Sequence, residues 1–261
     1  MTAEYPTVPV APAPAQSRPK RGRRWPWLVL GSLVLLAVLL VVADIGARAY
    51  AQGRAESEIR SQLPTNLQGD VSVSIGGFSF LSQLLAGSFH EVQLDAPALT
   101  VDGVPLAAHV TATDVPTDLS KPVGDIQATV TLDQSAVDSI VTLPGDASLV
   151  LGDGAVSYDG QVTVLGLTIG YRITGTVQAS GTDVVIQPQS AALTQGSNLV
   201  DLSGVLGGLT KNPITVCVAQ YLPQGATVQS IDVTSGQVSA SLAAQQFVLS
   251  EDSLRTLGTC P

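Results

Sequence analysis

The stretch "WPWLVLGSLVLLAVLLVVA", Trp25 to Ala43, runs nineteen residues without a charge and is closed by Asp44. At helical rise it is about 28 Å long, close to the hydrocarbon thickness of a bilayer. It predicts a membrane-spanning helix, and the rest of the chain has to be read around it. Ahead of it stand Arg18, Lys20, Arg21, Arg23 and Arg24, five of the twelve basic residues in the 261-residue chain. Trp25 and Trp27 occupy the place of an interfacial aromatic anchor. The basic excess on the amino side puts residues 1–24 in the cytoplasm and everything after Asp44 outside. The first part of that tail is rich in Pro and Ala, a composition that buries little and predicts disorder. The alternative is a cleavable signal peptide, because "AYAQ" (Ala49 to Gln52) offers a small-x-small site. That would leave the main domain secreted or periplasmic. The apolar run is longer than an ordinary signal core, which favours an uncleaved anchor. Both readings export the main domain.

Beyond residue 43 the chain keeps seven basic residues against twenty of the twenty-one acidic ones, a net charge of −13. Such a domain offers no basic patch to a phosphate backbone, so nucleic acid is not an expected partner. Cys217 and Cys260 both lie in this part. An oxidising compartment favours a bridge between them, although two buried free thiols would also fit. His90 and His109 are the only histidines and show no metal-ligand spacing with the cysteines, so no metal or cofactor is expected.

Residues 44–63 are rich in Ala, Glu and Arg and read as a juxtamembrane helix, with Glu56 and Arg60 at a helpful i, i+4 spacing and Pro64 ending the pattern. From residue 64 to 261 the period changes to two. "VSVSI" (Val71 to Ile75) alternates, and "DIQATVTLD" puts Ile126, Ala128, Val130 and Leu132 on one face. Asp159-Gly160 between two alternating runs reads as a hairpin turn. Leu165, Leu167, Ile169, Tyr171, Ile173 and Val177 form a further apolar phase, offset from Val162 and Val164 by what reads as a bulge or bend near Gly166. Asp133 is placed to cap a short helix at the start of "DQSAVDSIVTL", with Val137, Ile140 and Val141 at helical spacing. "NLVDLSGVLGGLTKNP" and "ITVCVAQYL" are helical candidates, and "QSIDVTSGQVSASLAAQQFVL" reads as three strands. The prediction is one exported α+β domain, an antiparallel sheet with a few short helices.

Catalytic patterns are missing: no Walker A loop, no dinucleotide fingerprint, no G-x-S-x-G and no H-E-x-x-H. The aspartates cluster beside turn glycines, where they serve turns. No enzyme activity is expected. What the strands do offer is a smooth aliphatic face opposed by Thr, Ser, Gln and Gly, suited to curling around a helix or a ligand.

Three of the four phenylalanines fall within "GGFSFLSQLLAGSFHEVQL": Phe78, Phe80 and Phe89. Phe78 and Phe80 read as one face of a strand. Leu81, Leu84 and Leu85 then make a short apolar helical face ended by Gly87. This is either a plug for the end of the sheet or an apolar portal for acyl chains. The G-F-x-F-L-x-Q-L-L-x-G-x-F stretch after an amino-terminal apolar segment, with the later period-two strands, resembles the actinobacterial LmeA-like phospholipid-binding family. The resemblance covers about residues 45–250. It implies an elongated α+β fold similar to tubular lipid-binding domains, with a curved antiparallel sheet wrapping short helices around an apolar groove. It also implies phospholipid, including phosphatidylinositol types, as partner, and a place in envelope biogenesis. The expected portal or groove residues are Phe78, Phe80, Leu81, Leu84, Leu85, Phe89, Leu167, Ile169, Tyr171 and Ile173, with Arg172 as a headgroup contact. A structural envelope module without a lipid cavity is the alternative.

Overall fold

The structure, a computed structural model, describes residues 25–62, 67–140, 147–164, 167–195, 198–201 and 213–260. The chain divides into two compact units between Ala43 and Asp44. Helix α1 (Trp25–Gln62) begins in the first and ends in the second. Its large apolar side chains from Trp25 to Val42 are exposed, and it is long and apolar enough to cross a membrane, as an anchor or a signal sequence is.

In the second unit, short strands β1 (Leu67–Gly69) and β2 (Ser72–Ile75) lead to helix α2 (Phe80–Ala86). The long strands β3 (Ser88–Val101), β4 (Val104–Pro116) and β5 (Pro122–Asp133) follow, then helix α3 (Gln134–Ile140). Next come β6 (Ser148–Leu151), β7 (Val156–Val164), β8 (Leu167–Ser180), β9 (Asp183–Gln195), β10 (Asn198–Asp201) and β11 (Ile214–Cys217). The chain closes with β12 (Thr227–Thr234), β13 (Gln237–Val248) and helix α4 (Glu251–Arg255). The first sheet has the order β1-β3-β4-β5-β13-β12, with β2 also on β3, and the second has the order β10-β9-β8-β7-β6, with β11 on β9. All pairings between these strands are antiparallel, and the fold is α+β.

Several local expectations change. Asp159-Gly160 is no turn but the middle of β7, where Gly160 pairs with Tyr171. A Cβ on Gly160 would lie 2.6 Å from the Tyr171 ring and 2.8 Å from that of Tyr158, so glycine is there to admit two aromatic rings. The hairpin falls between Val164 and Leu167, which pair with each other. The expected bulge or bend is thus a reversal of the chain, with Val162 opposite Ile169 and Val164 opposite Leu167; Leu165 and Gly166 lie outside the described residues. Asn198–Asp201 and Ile214–Cys217 are strands rather than helices, and a 3-10 turn follows at Ala219–Tyr221. Residues 202–212 of the helical candidate lie outside the described residues. The carboxyl-terminal stretch makes two strands, not three. Asp133 does cap α3, its Oδ1 accepting from the Ala136 N–H at 2.8 Å.

One row across the first sheet departs from regular pairing. His90 and Asp114 on β3 and β4, and Gly124 and Gln246 on β5 and β13, sit opposite one another without pairing while the residues on either side pair, and the β4–β5 ladder ends at Thr113–Asp125, just before this row. Asp114 and Gln246 have φ of 51° and 50°, the left-handed region that non-glycine residues avoid. A left-handed residue within a strand breaks the in–out alternation. Ala112 therefore shares a cluster with Val115 and Ile126 with Val123, each pair three residues apart, and Phe89 and Val92 join the same cluster. Strict period two would place the members of each pair on opposite faces. All four strands shift at the same row, so the register survives.

The core is correspondingly divided. One cluster, around Val115 and Val123, lies at that end of the first sheet. The other joins Val137, Leu151 and Val233 to Leu132, Val156, Val177 and Val238, where α3 and both sheets meet. A domain ordinarily has one contiguous core. Between the two clusters runs the apolar face of the first sheet, with the cross-strand rows Leu94, Val110, Ala128, Leu242 and Ala108, Val130, Ala240. All seven of these residues are only half-buried. From Val123 to Leu132 this face is about 30 Å long at strand rise. The Cys217–Cys260 disulfide is formed and ties the carboxyl end to β11.

Candidate functional site: a groove beside α2

Why the chain turns helical at Phe80 is clear from its donors and acceptors. Gly76 and Gly77 end β2, and Gly77 has φ of 91°, which glycine adopts without penalty. Ser79 takes the N-cap position and its Oγ accepts from the Ser82 N–H at 3.2 Å. The first N–H groups of a helix have no partner within it. Here they point at a carboxylate from far upstream: Asp44 Oδ1 accepts from the Leu81 N–H and from Ser79 Oγ, both at 2.8 Å, and Oδ2 accepts from the Phe80 N–H at 3.1 Å. Arg48, one helical turn after Asp44, donates from Nη2 to the Gly77 carbonyl at 2.8 Å. Gly87 closes α2 in the left-handed conformation.

Gln83 is the polar residue that α2 turns inward. It is buried, donates from Nε2 to the carbonyls of Gly76 and Ser79, and accepts on Oε1 from the His90 N–H. It thereby holds the glycine turn, α2 and the irregular row of the first sheet together. Glu56 and Arg60, on the carboxyl-terminal half of α1, also reach the fold instead of each other. Glu56 accepts from the Val73 N–H at 2.9 Å, and Arg60 pairs with Asp70 at 3.5 Å.

Phe78 and Phe80 do not share a face. The chain turns helical at Phe80, right after the extended N-cap Ser79, and Phe80 turns inward (5% exposed) while Phe78 stands wholly in solvent (103%). Phe80 stacks on Phe89 with ring centroids 5.5 Å apart. Leu85 is 89% exposed, Leu84 is partly exposed and Leu81 is half-buried. The sequence cluster thus separates into an inner pair and an outer rim.

Between them opens a groove of about 610 Å³, lined by Phe80, Leu81 and Leu84 from α2 and by Ala47, Tyr50, Ala51, Arg54, Ala55 and Glu58 from α1. That volume lies in the ~300–1,000 Å³ range of small-molecule sites. Its floor is the alanine series 47, 51, 55, one helix face on which the absence of long side chains makes the space. Those alanines, Tyr50 and Arg54 escaped the sequence reading; the i, i+4, i+8 spacing was the available signal. Arg54 and Glu58 form an exposed ion pair at the mouth, 3.5 Å apart.

The other expected site residues are elsewhere. Tyr171 and Ile173 are half-buried on β8 in the second sheet, where Tyr171 packs beside Tyr158 at 5.9 Å between centroids. The side chains of Leu167 and Ile169 lie outside the described residues. None of the four lines the groove beside α2. Arg172 is held by a bidentate pair with Asp159, Nε to Oδ1 at 2.6 Å and Nη2 to Oδ2 at 2.7 Å. A headgroup phosphate would have to displace that carboxylate, a strong charge-assisted partner.

The groove, apart from the Arg54–Glu58 pair at its mouth, and the half-buried sheet face share one chemistry: largely apolar wall fit for hydrocarbon. Among the described residues no three His, Cys, Asp or Glu come together as a metal site. Comparison with curated proteins and with solved structures gives no match. A family model described as LmeA-like phospholipid-binding matches residues 42–243, which takes in Asp44, the α2 segment and β1 through most of β13. On that match, the chain belongs to the LmeA-like phospholipid-binding family.

Proposed function

We propose that this protein is a single-pass, membrane-anchored phospholipid-binding protein of the cell envelope, with residues 1–24 cytoplasmic and residues 44–261 outside. It holds or passes on lipid and carries out no reaction of its own. The observation that carries the anchored reading is the capping of α2 by Asp44. Cleavage at Ala49–Gln52 would remove both Asp44 and Arg48, leaving the first N–H groups of α2 without their acceptor. A folded domain that starts at Asp44 calls for the apolar run to stay attached. The family match from residue 42 and the formed disulfide, which suits an oxidising compartment, support the same reading.

The lipid site we assign is the groove lined by Phe80, Leu81, Leu84 and the Ala47–Ala55 face, continued past Phe89 by the apolar rows of the first sheet. Acyl chains lie along this wall, and each methylene removed from water and reburied there is worth about 0.8 kcal/mol. Phe78 and Leu85 belong to its outer edge. The second-sheet residues Leu167, Ile169, Tyr171 and Ile173 extend the apolar surface, and Arg172 serves a headgroup only where it leaves Asp159. Phosphatidylinositol-type lipids are the class to test first.

The experiment is photocrosslinking of the full chain, reconstituted in liposomes with phosphatidylcholine or phosphatidylinositol carrying a diazirine in the acyl chain. Crosslinked peptides from residues 47–58 and 80–89 would support the groove, and their yield with each headgroup ranks the lipids. Crosslinks confined to residues 25–43 would mean that lipid meets only the span. The domain would then be a structural module of the envelope.

A further inference from the structure

Asp44 is the first charge after the apolar run, and three of its contacts are to the start of α2. Wherever the run ends, the amino end of α2 therefore lies within 3.1 Å of the residue that follows it. If residues 25–43 cross the bilayer, Asp44 marks the water interface and α2 begins there too. The large residues that α2 and its approach turn outward are apolar, with the small Ser82 and Ala86 exposed beside them: Phe78 is fully exposed, Leu85 nearly so and Leu84 in part. Tyr50, two turns of α1 beyond Asp44, is 76% exposed. An exposed phenylalanine and two exposed leucines around one short helix leave apolar surface in water of the kind that marks an interaction site.

We propose that Phe78 and Leu85 insert into the outer leaflet of the bilayer, so that α2 docks the groove mouth on the membrane from which lipid enters. The inference rests on the anchored reading above. It names a lipid surface as occupant because the Asp44 contacts fix where α2 starts along the chain, independently of what the groove holds. The net charge of −13 beyond residue 43 argues that the attachment is apolar rather than electrostatic, since an anionic leaflet would repel this domain weakly. Docking should therefore persist at high salt, where charge-driven adhesion fails.

The test uses the full chain in phosphatidylcholine liposomes with an environment-sensitive fluorophore on one introduced cysteine, at Phe78→Cys, Leu85→Cys or the exposed β12 position Gln229→Cys. The native cysteines are paired with each other and leave the label to the new site. We expect emission from positions 78 and 85 to shift to the blue. It should be quenched more by a nitroxide near the lipid headgroup than by one deep in the leaflet, and be unchanged by salt, while position 229 stays water-like. Water-like emission at both 78 and 85 overturns the proposal. So does a blue shift that lipid nitroxides do not quench, which would point to a second copy or another protein on the patch. Because each label sits on a surface side chain, folding can be checked separately through the intact disulfide and thermal midpoint. Failure here with groove crosslinks intact removes docking alone. Loss of crosslinks with an inserted label removes lipid binding and leaves docking.

Discussion

Asp44 and Leu81 are thirty-seven residues apart in the chain, yet the carboxylate of one accepts from the backbone N–H of the other at 2.8 Å. The relationship reverses the usual order of importance at such a junction. The residue that ends an apolar segment is normally a spacer; here it is a structural part of the domain that follows. Substituting Asp44→Ala should free the Phe80 and Leu81 amides and loosen α2, with their hydrogen exchange rising on the order of tenfold or more while exchange in β5 is unchanged. Arg48→Ala, which removes one bond to Gly77, should have the smaller effect. Unchanged exchange at both amides in Asp44→Ala would show that the cap is not what holds α2.

The two neighbouring phenylalanines should behave as opposites. Phe80→Ala removes a buried ring stacked on Phe89 and should cost about 3–5 kcal/mol of stability. Phe78→Ala removes an exposed ring and should change stability by no more than about 0.5 kcal/mol. Urea unfolding of the two variants side by side decides the matter, and equal losses would contradict the inward and outward placement.

Gly160 offers a test inside the second sheet. Gly160→Ala puts a Cβ against the rings of Tyr171 and Tyr158, and the forced rearrangement should cost about 1–3 kcal/mol. Adding Tyr171→Leu should recover part of that loss if the ring is the obstacle, as a double-mutant comparison of thermal midpoints would show.

The Cys217–Cys260 bridge closes a 43-residue span. Replacing both cysteines by serine should lower stability by up to about 4 kcal/mol, the chain-entropy value for a loop of this size. A matching fall in the urea midpoint on reduction of the native chain checks it.

Acid should weaken the start of α3. The Ser135 hydroxyl, followed by the Ala136 N–H, holds the Asp133 carboxyl below its ordinary value. A carboxylate depressed in the folded state contributes fully above its unfolded pKa of about 3.9, and its contribution fades as pH falls through the folded value. The gap in thermal midpoint between the native chain and Asp133→Ala should be constant near neutrality and narrow below about pH 4. A gap that instead opens in acid would reverse the sign of this linkage.

How far the sequence could be read depended on whether a residue's role was local. The alternation of Ile126, Ala128, Val130 and Leu132 reflects a face its own strand must bury, and it held. The Asp133 cap acts within three residues and was equally legible. Gly160 was misread because an Asp-Gly pair has the letters of a turn, whereas its reason lies in tyrosines on its own and the neighbouring strand. Phe78 and Phe80 looked alike because two residues apart means one face only while the chain stays extended, and the helix that starts at Phe80 ends that. The groove was hardest: its floor consists of alanines, whose contribution is the volume they leave empty. Nor does anything near Asp44 announce that its partners lie more than thirty residues ahead.

The irregular row through His90, Asp114, Gly124 and Gln246 has a consequence for how such a sheet can be closed. On the Leu132 side of the row, even-numbered residues of β5 line the apolar face; beyond it, Val123 takes over that duty. The strands thus supply their own stopper at the α2 end by exchanging inside for outside at a single latitude. A barrel would reach that result by joining its edges and a sandwich by adding a second layer. This domain does it with two strained residues and a glycine, all within the strands themselves.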